Sequence, residues 1–344
     1  MDILKKILLL PLLVLLLSSC IKDNLDDCGR LDFRLQFSFT LNNQHEDLLA
    51  DEVRNIRVYV FDQVTGLLVD MINVTEQDIA RGYIDVDLLG GRYTFVAWGS
   101  NTNITNGGYA AAGTVGQTTL NDFRMTLATA SLPSGSPYAG LADVVPQTAG
   151  FGDLFWAIAK DVTVLSSGRD QSVDFDLIRN TNTLTVNVAG LENLSTRALT
   201  GMELDVFTVG RNWLYGNDNN LFADTPRMLF LPHDGNRDEA GGKITEVFNI
   251  RQQRLSQNPV AARPILYVRD AATNTALIPP LDVVYLIQQM KDDAGNPLYP
   301  NQGYIDREDT FLIDIEFRNN NEGNLVIRIS VKGWTMEYIY SVVA

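Results

Sequence analysis

Leu31-Asp32-Phe33-Arg34-Leu35-Gln36-Phe37-Ser38-Phe39 alternates apolar and polar side chains without interruption. A period of two places the apolar set on one face of an extended chain, the pattern of a half-buried β-strand. The pattern continues downstream. Ile56, Val58 and Val60 alternate with Arg57, Tyr59 and Phe61, the turn Asp62-Gln63-Val64-Thr65-Gly66 follows, and residues 67–74 return as a hairpin. Tyr83 to Leu88 and Tyr93 to Trp98, around Gly90-Gly91, read as a second hairpin. Residues 99–150 are rich in Gly, Ser, Thr, Asn and Ala and read as mostly loop, with a short helix near 120–127. Strands resume at 154–159, 162–165 and 173–177. A second series runs from Leu184-Thr185-Val186 through 202–209, 228–231, 243–250 and 265–268, then a helix over 281–291, then strands at 309–317 and 325–331. β-Branched and aromatic residues fill these runs. The expectation is an all-β chain of two tandem sandwiches, residues 31–177 and 178–344, with no obvious sequence repeat between them.

The N-terminus reads differently. Lys5-Lys6 precedes an apolar run from Ile7 to Leu17, then Leu17-Ser18-Ser19-Cys20. The run is too short to span a bilayer, which takes about 20 apolar residues. Charge, apolar core, small residues and Cys in that order form a lipoprotein signal, with cleavage between Ser19 and Cys20 and acylation of the Cys20 thiol. Residues 1–19 are then the signal peptide and 20–30 a lipidated, acidic tether. Lys22, Asp23, Asp26 and Asp27 lie in that tether. Such Lys-Asp-rich segments resemble the surface-export signal of Bacteroidota lipoproteins, so the expected location is the outer face of the outer membrane.

The chain of 344 residues carries a net charge of −15, which repels phosphate backbones and argues against a nucleic-acid partner. It has two cysteines; with Cys20 acylated, Cys28 lacks an intramolecular partner, and burial is the expected fate of its thiol. The two histidines, His45 and His233, sit in polar stretches away from other ligands. No nucleophile elbow, phosphate loop or zinc helix occurs. Asp85 and Asp87 share a strand face, as acid–base pairs do, but exposed strand faces carry such pairs routinely. Asn217-Asp218-Asn219-Asn220 lacks the Gly and closing Glu of a calcium loop and reads as a turn. The expectation is a non-catalytic protein without metal, cofactor or small-molecule substrate. Of the four tryptophans, Trp98 and Trp334 end alternating runs and suit packing, while Trp213 beside Tyr215 is the better candidate for an exposed platform.

These motifs together resemble the FimB-type fimbrial anchor family of Bacteroidota, lipoprotein subunits of type V pili. The matching residues are Leu-Ser-Ser-Cys20 with Asp26-Asp27-Cys28, Val58-Tyr59-Val60-Phe61-Asp62 with Gly66, and Gly91-Arg92-Tyr93-Thr94-Phe95-Val96-Ala97-Trp98. They continue with Asp153-Leu154-Phe155-Trp156, Leu177-Ile178-Arg179-Asn180 into Leu184-Thr185-Val186, Gln302-Gly303-Tyr304-Ile305-Asp306-Arg307, and Ile327-Arg328-Ile329-Ser330-Val331-Lys332-Gly333-Trp334. Gly303 departs from the acidic residue expected there. The resemblance implies two transthyretin-like, immunoglobulin-like sandwiches. It implies a subunit that holds the pilus base to the outer membrane, limits shaft length, and joins major or accessory pilus subunits by strand exchange. In the tail, Met336, Tyr338 and Tyr340 alternate with Glu337, Ile339 and Ser341. That segment is either a donated strand or the last strand of its own domain. A surface glycan-binding sandwich is the alternative reading, and a hydrolase with facing carboxylates a more distant one.

Overall fold

The computed structural model describes residues 32–102, 108–147, 151–165, 171–195, 203–322 and 324–340. The alternating stretch becomes β1 (Asp32–Ser38), with Phe33, Leu35 and Phe37 buried. The rest of the first half comprises β2 (Asn55–Asp62), β3 (Leu68–Val74), β4 (Tyr83–Asp87), β5 (Gly91–Ser100), β6 (Tyr109–Ala112), β7 (Arg124–Leu127), β8 (Thr129–Ser131), β9 (Val144–Pro146), β10 (Leu154–Val164), β11 (Gln171–Asp176) and β12 (Ile178–Arg179). One sheet runs β11-β1-β4 and the facing sheet β12-β10-β5-β2-β3. Aromatic rings join them: Phe33 of β1 stacks on Phe95 of β5 at 5.8 Å, and Phe175 of β11 meets Phe95 edge-on at 6.4 Å. Each such ring contributes about 1.5–3 kcal/mol by leaving water.

The second half comprises β13 (Thr181–Ala189), β14 (Leu204–Gly210), β15 (Trp213–Tyr215), β16 (Met228–Phe230), β17 (Pro232–Ala240), β18 (Lys243–Gln253), β19 (Ile265–Asp270), β20 (Leu281–Asp282), β21 (Thr310–Asn319), β22 (Leu325–Val331) and β23 (Trp334–Tyr340). Its sheets run β17-β18-β13-β21-β22-β23 and β20-β19-β14-β16-β9-β8. Both halves are therefore β-sandwiches, and they share a strand plan. β1 is flanked by antiparallel β4 and parallel β11, and β13 by antiparallel β18 and parallel β21. β2 lies between β3 and β5, and β14 between β16 and β19. The expected helix is shorter than its pattern, Val283–Gln288, and starts where the Asp282 carboxylate accepts the Tyr285 N–H at 2.9 Å.

Three sequence expectations need correction. Strands β4 and β5 are not a hairpin: β4 pairs with β1, whereas β5 pairs with β2 and β10 in the opposite sheet. The reason is the composition of β5. Its consecutive Phe95, Val96, Ala97 and Trp98 are all fully buried, which requires cover on both faces. Residues 154–159 and 162–165 are not two strands but the single β10, with a bulge where Asp161 adopts φ 58°. Most importantly, 124–127 is strand rather than helix, and the stretch 99–150, though mostly loop as expected, carries the four short strands β6 to β9.

That region forms a third layer and a bridge. Phe123 lies 4.5 Å from the Tyr59 ring and 5.3 Å from Phe61, covering the outer face of β2. β7 pairs with β6 on one side and with β15 of the second half on the other. β8 and β9, which fall within the expected first domain, hydrogen-bond into the second half's sheet through Val144 and Met228. One apolar cluster consequently runs from Tyr59 and Trp98 to Ile329, while a separate one fills the first sandwich.

Gly216 sits where this bridge is tightest. Its N–H donates to Phe123 O at 2.9 Å, its carbonyl accepts the Trp156 indole N–H at 3.1 Å, and a Cβ there would fall 2.2 Å from the Phe123 ring. Gly216→Ala should destabilise the fold by about 1–3 kcal/mol through overpacking, read as a lower urea midpoint. Val64→Ala, at an exposed turn, should leave the midpoint within about 0.5 kcal/mol of wild type.

Candidate functional site

Where the chain passes between halves, buried polar side chains hydrogen-bond to one another. Asn180 and Asn219 exchange two amide hydrogen bonds of 2.6 and 2.8 Å, both side chains excluded from water. Arg254 donates twice to Asp306, at 2.8 and 2.6 Å, and also to Asn219 O. Its own N–H reaches Asn180 O at 2.8 Å. Gln302 donates to Asp306 at 2.8 Å and to Leu255 O at 2.9 Å. Beside this knot, Asp153 takes hydrogen bonds from Arg251, from Thr181 at 2.6 Å and from Asn101 at 2.8 Å. Arg179, between the two halves in sequence, is ion-paired with Glu52 at 3.0 Å and Asp309 at 3.4 Å. A desolvated, bidentate Arg–carboxylate pair has one geometry, so it fixes orientation as well as adding energy.

The register orders the molecule along an axis. β1 starts at Asp32, opposite Asp87, and ends beside the junction, where Asn43 reaches Glu308 at 3.2 Å. The second half therefore lies at the end of β1 away from the N-terminal segment. Its six-stranded sheet ends in β17 on one side and β23 on the other. β17 reads Pro-His-Asp-Gly-Asn-Arg-Asp-Glu-Ala, is exposed almost throughout, and carries charges that discourage pairing with another strand. β23 carries one charge, Glu337, held by Arg318 at 2.5 Å and Arg328 at 3.4 Å. Trp334, Met336 and Tyr338 pack inward against the core, while Ile339 is exposed. The tail over 334–340 is thus the last strand of its own sheet, paired with β22 from Val331↔Trp334 to Leu325↔Tyr340.

A cleft of about 660 Å³ opens between β14 and the β17–β18 hairpin. Leu204, Val206 and Phe248 supply apolar surface, and His233, Asp234, Arg237 and Glu246 polar surface. Tyr138 donates to Asp205 at 3.1 Å, and burial together with the Asp205 charge pushes its hydroxyl up to about 12. Burial also raises the Glu246 carboxyl, against the pull of Arg237 at 3.8 Å.

Ser19, Cys20, Lys22, Asp23, Asp26, Asp27 and Cys28 lie outside the described residues. His45 and His233 are exposed, as expected. Asp85 is bound to Arg34 at 2.7 Å, and its hydrogen bond from Arg34 holds its carboxyl below the usual range. Asn217–Asn220 is a turn with Asn219 at φ 61°. Among the described residues no group of His, Cys, Asp and Glu is arranged to hold a metal ion. Also among them, no helix is long and apolar enough to cross a membrane. Trp98 is in the core and Trp334 packs against it. The Trp213 side chain lies outside the described residues, and the Tyr215 ring is held edge-on by Phe222 at 5.0 Å. Sequence reasoning missed the knot as a site. Asn180, Asn219 and the pair Gln302 and Asp306 fall in three separate stretches, and Arg254 falls in no motif.

A family model for fimbrillin-A associated anchor proteins Mfa1 and Mfa2 matches residues 25–340. No curated protein is matched. Among solved structures, the chain is similar to a protein of Bacteroides ovatus described as a candidate adhesin. The identity is 19%, with 92% of this chain and 96% of that one covered, and the TM-score is 0.67. It is also similar to a candidate polysaccharide-binding protein of Bacteroides thetaiotaomicron, at 20% identity over 90% and 98%, TM-score 0.66. A third is the fimbrial anchor protein Mfa2 of Porphyromonas gingivalis, at 19% identity over 90% and 99%, TM-score 0.61.

Replacing Arg254 by Met strands the Asp306 carboxylate in the interior. It should cost about 3–5 kcal/mol in chemical denaturation, and a second change, Asp306→Leu, should recover most of that loss. Glu246→Gln tests the cleft. A carboxyl raised on folding makes the protein less stable as pH rises from its unfolded-state value through its folded-state value. The Gln variant should therefore melt higher than wild type at neutral pH, with the difference vanishing in acid below the ordinary Glu range.

Proposed function

This chain belongs to the fimbrillin-A associated anchor family, and from that premise we propose that it is the lipid-held base of a fimbrium. In this reading Cys20 carries the lipid, the tether bearing Lys22, Asp23, Asp26 and Asp27 directs the protein to the outer face of the outer membrane, and residues 31–177 and 178–344 act as paired sandwiches. The partner is another fimbrial subunit, engaged through its backbone. The observation that carries the reading is β23. Among the described residues it is a terminal edge strand with one charge, in the half remote from the start of β1 at Asp32. An open edge offers a row of N–H and C=O groups, and alternate side chains supply selectivity. Because Trp334, Met336 and Tyr338 cover the core, β23 stays in place and the partner's strand adds to it. The cleft beside β14 is a second surface for an extended segment. Limiting shaft length follows physically if the base presents its pairing edge to one subunit and is itself fixed in lipid.

Cys20→Ala should move the protein from the membrane fraction to the soluble one. Retention in the membrane would contradict the anchor. Ile339→Lys with Tyr340→Lys, both at exposed positions, should leave the fold intact and abolish co-purification of fimbrial subunits from membranes. A staple between Ser330→Cys and Thr335→Cys, whose hydroxyls lie 3.2 Å apart, should leave that co-purification unchanged. If the staple abolishes capture, β23 is donated rather than extended. If the lysines change nothing, β23 is not the contact.

A further inference from the structure

The end of the first sandwich where β1 begins carries a set of apolar loop tips. Val64, in the β2–β3 turn, is 88% exposed, and Leu89, just before β5, is 84% exposed. Leu165, just after β10, is 48% exposed, and Val115, between β6 and β7, is 45% exposed. Register places the first three together. Gln63 N–H donates to Arg92 O at 2.9 Å, and Val164 lies opposite Gly91. Tyr93 hydroxyl donates to Leu89 O at 3.0 Å. The Val115 loop joins them through Gly116 N–H, which donates to Leu68 O at 2.7 Å. The start of β1 is at the same end, because Asp32 lies opposite Asp87 and Phe33 opposite Gln171.

Exposed apolar side chains on neighbouring loop tips mark a contact surface when they gather on one face. Charges among them are partly self-compensated, with Arg92 3.3 Å from Asp161. The occupant follows from where the chain leaves. From Cys20 to Asp32 is a reach of at most about 40 Å, and it departs from this end. We propose that Val64, Leu89, Leu165 and Val115 rest in the surface of the lipid bilayer that holds Cys20, so that the body stands on the membrane by this end rather than swinging on its tether. The proposal rests on the reading of Cys20 as the lipid anchor. A bilayer accepts such tips because apolar side chains on a surface element enter the boundary between headgroup and acyl chain, while the acyl anchor supplies the retention.

The test uses the full-length lipidated protein with Cys28→Ser, carrying one environment-sensitive fluorophore at Leu89→Cys, at Val64→Cys or, as the remote control, at Val260→Cys in the second half. Proteins are reconstituted on phosphatidylcholine vesicles containing a lipid-borne quencher. Labels at Leu89 and Val64 should shift to shorter wavelength and be quenched, while the Val260 label keeps its aqueous spectrum. Co-sedimentation with vesicles but aqueous spectra at all three positions overturns the docking while leaving the anchor intact. Equal quenching at Val260 overturns it in favour of a body lying flat. Failure to co-sediment overturns the Cys20 anchor and this proposal with it.

Discussion

The ion pair between Arg254 and Asp306, both in the second half, is the constraint that holds the linker between the sandwiches: Arg254 N–H donates to Asn180 O, and Asn180 N–H donates to Leu154 O in the first half. Both charged groups are nearly excluded from water. Alone, either charge would be severely unfavourable there. Together, with Gln302, Asn219 and the exchanged amides of Asn180 and Asn219 completing their hydrogen bonds, they are stable in one relative position. Residues from the linker, from the end of β18 onward and from the segment before β21 come together in one set of hydrogen bonds. The junction is consequently specified by geometry rather than by greasy contact alone.

Apolar continuity supports the same result from the other side. The first sandwich keeps a private core around Phe33, Phe95 and Phe175. The outer face of its larger sheet instead joins the core of the second half through Phe123, Met125 and Leu127. Asn212 seals that passage by gripping the backbone of Leu127 twice, donating at 2.9 Å and accepting at 2.8 Å. An element pulled at β23 therefore loads β1 through packed side chains and sheet pairing, not through a single linker.

Much of this was legible in the chain. The alternation at 32–38 and 56–61 and the series after Thr183 appear as strands in the expected places, and the turn ending in Gly66 at φ 71° lies between β2 and β3. What was missed has physical causes. β17 has no apolar face, so no periodicity announces it; it exists because β18 and the positive-φ pair Gly241-Gly242 hold it. β6 to β9 are short and read as loop because Gly, Thr and Ala dominate their surroundings. The signal that they were needed lay elsewhere, in the unbroken apolar run from Phe95 to Trp98. The buried knot was invisible because Asn180, Asn219, Arg254 and Asp306 are far apart in sequence and none is unusual alone.

The molecule thus has a direction: a start at Asp32 with apolar tips around it, a locked junction, and an edge strand in the far half. So built, the two sandwiches should bear load as one body. The direct measurement is single-molecule extension between attachment points at residues 32 and 340, on wild type and on the Arg254→Met variant. One main rupture is expected for wild type, resolving into two separate events at lower force in the variant. Two independent ruptures in wild type, at forces the substitution does not change, would contradict it.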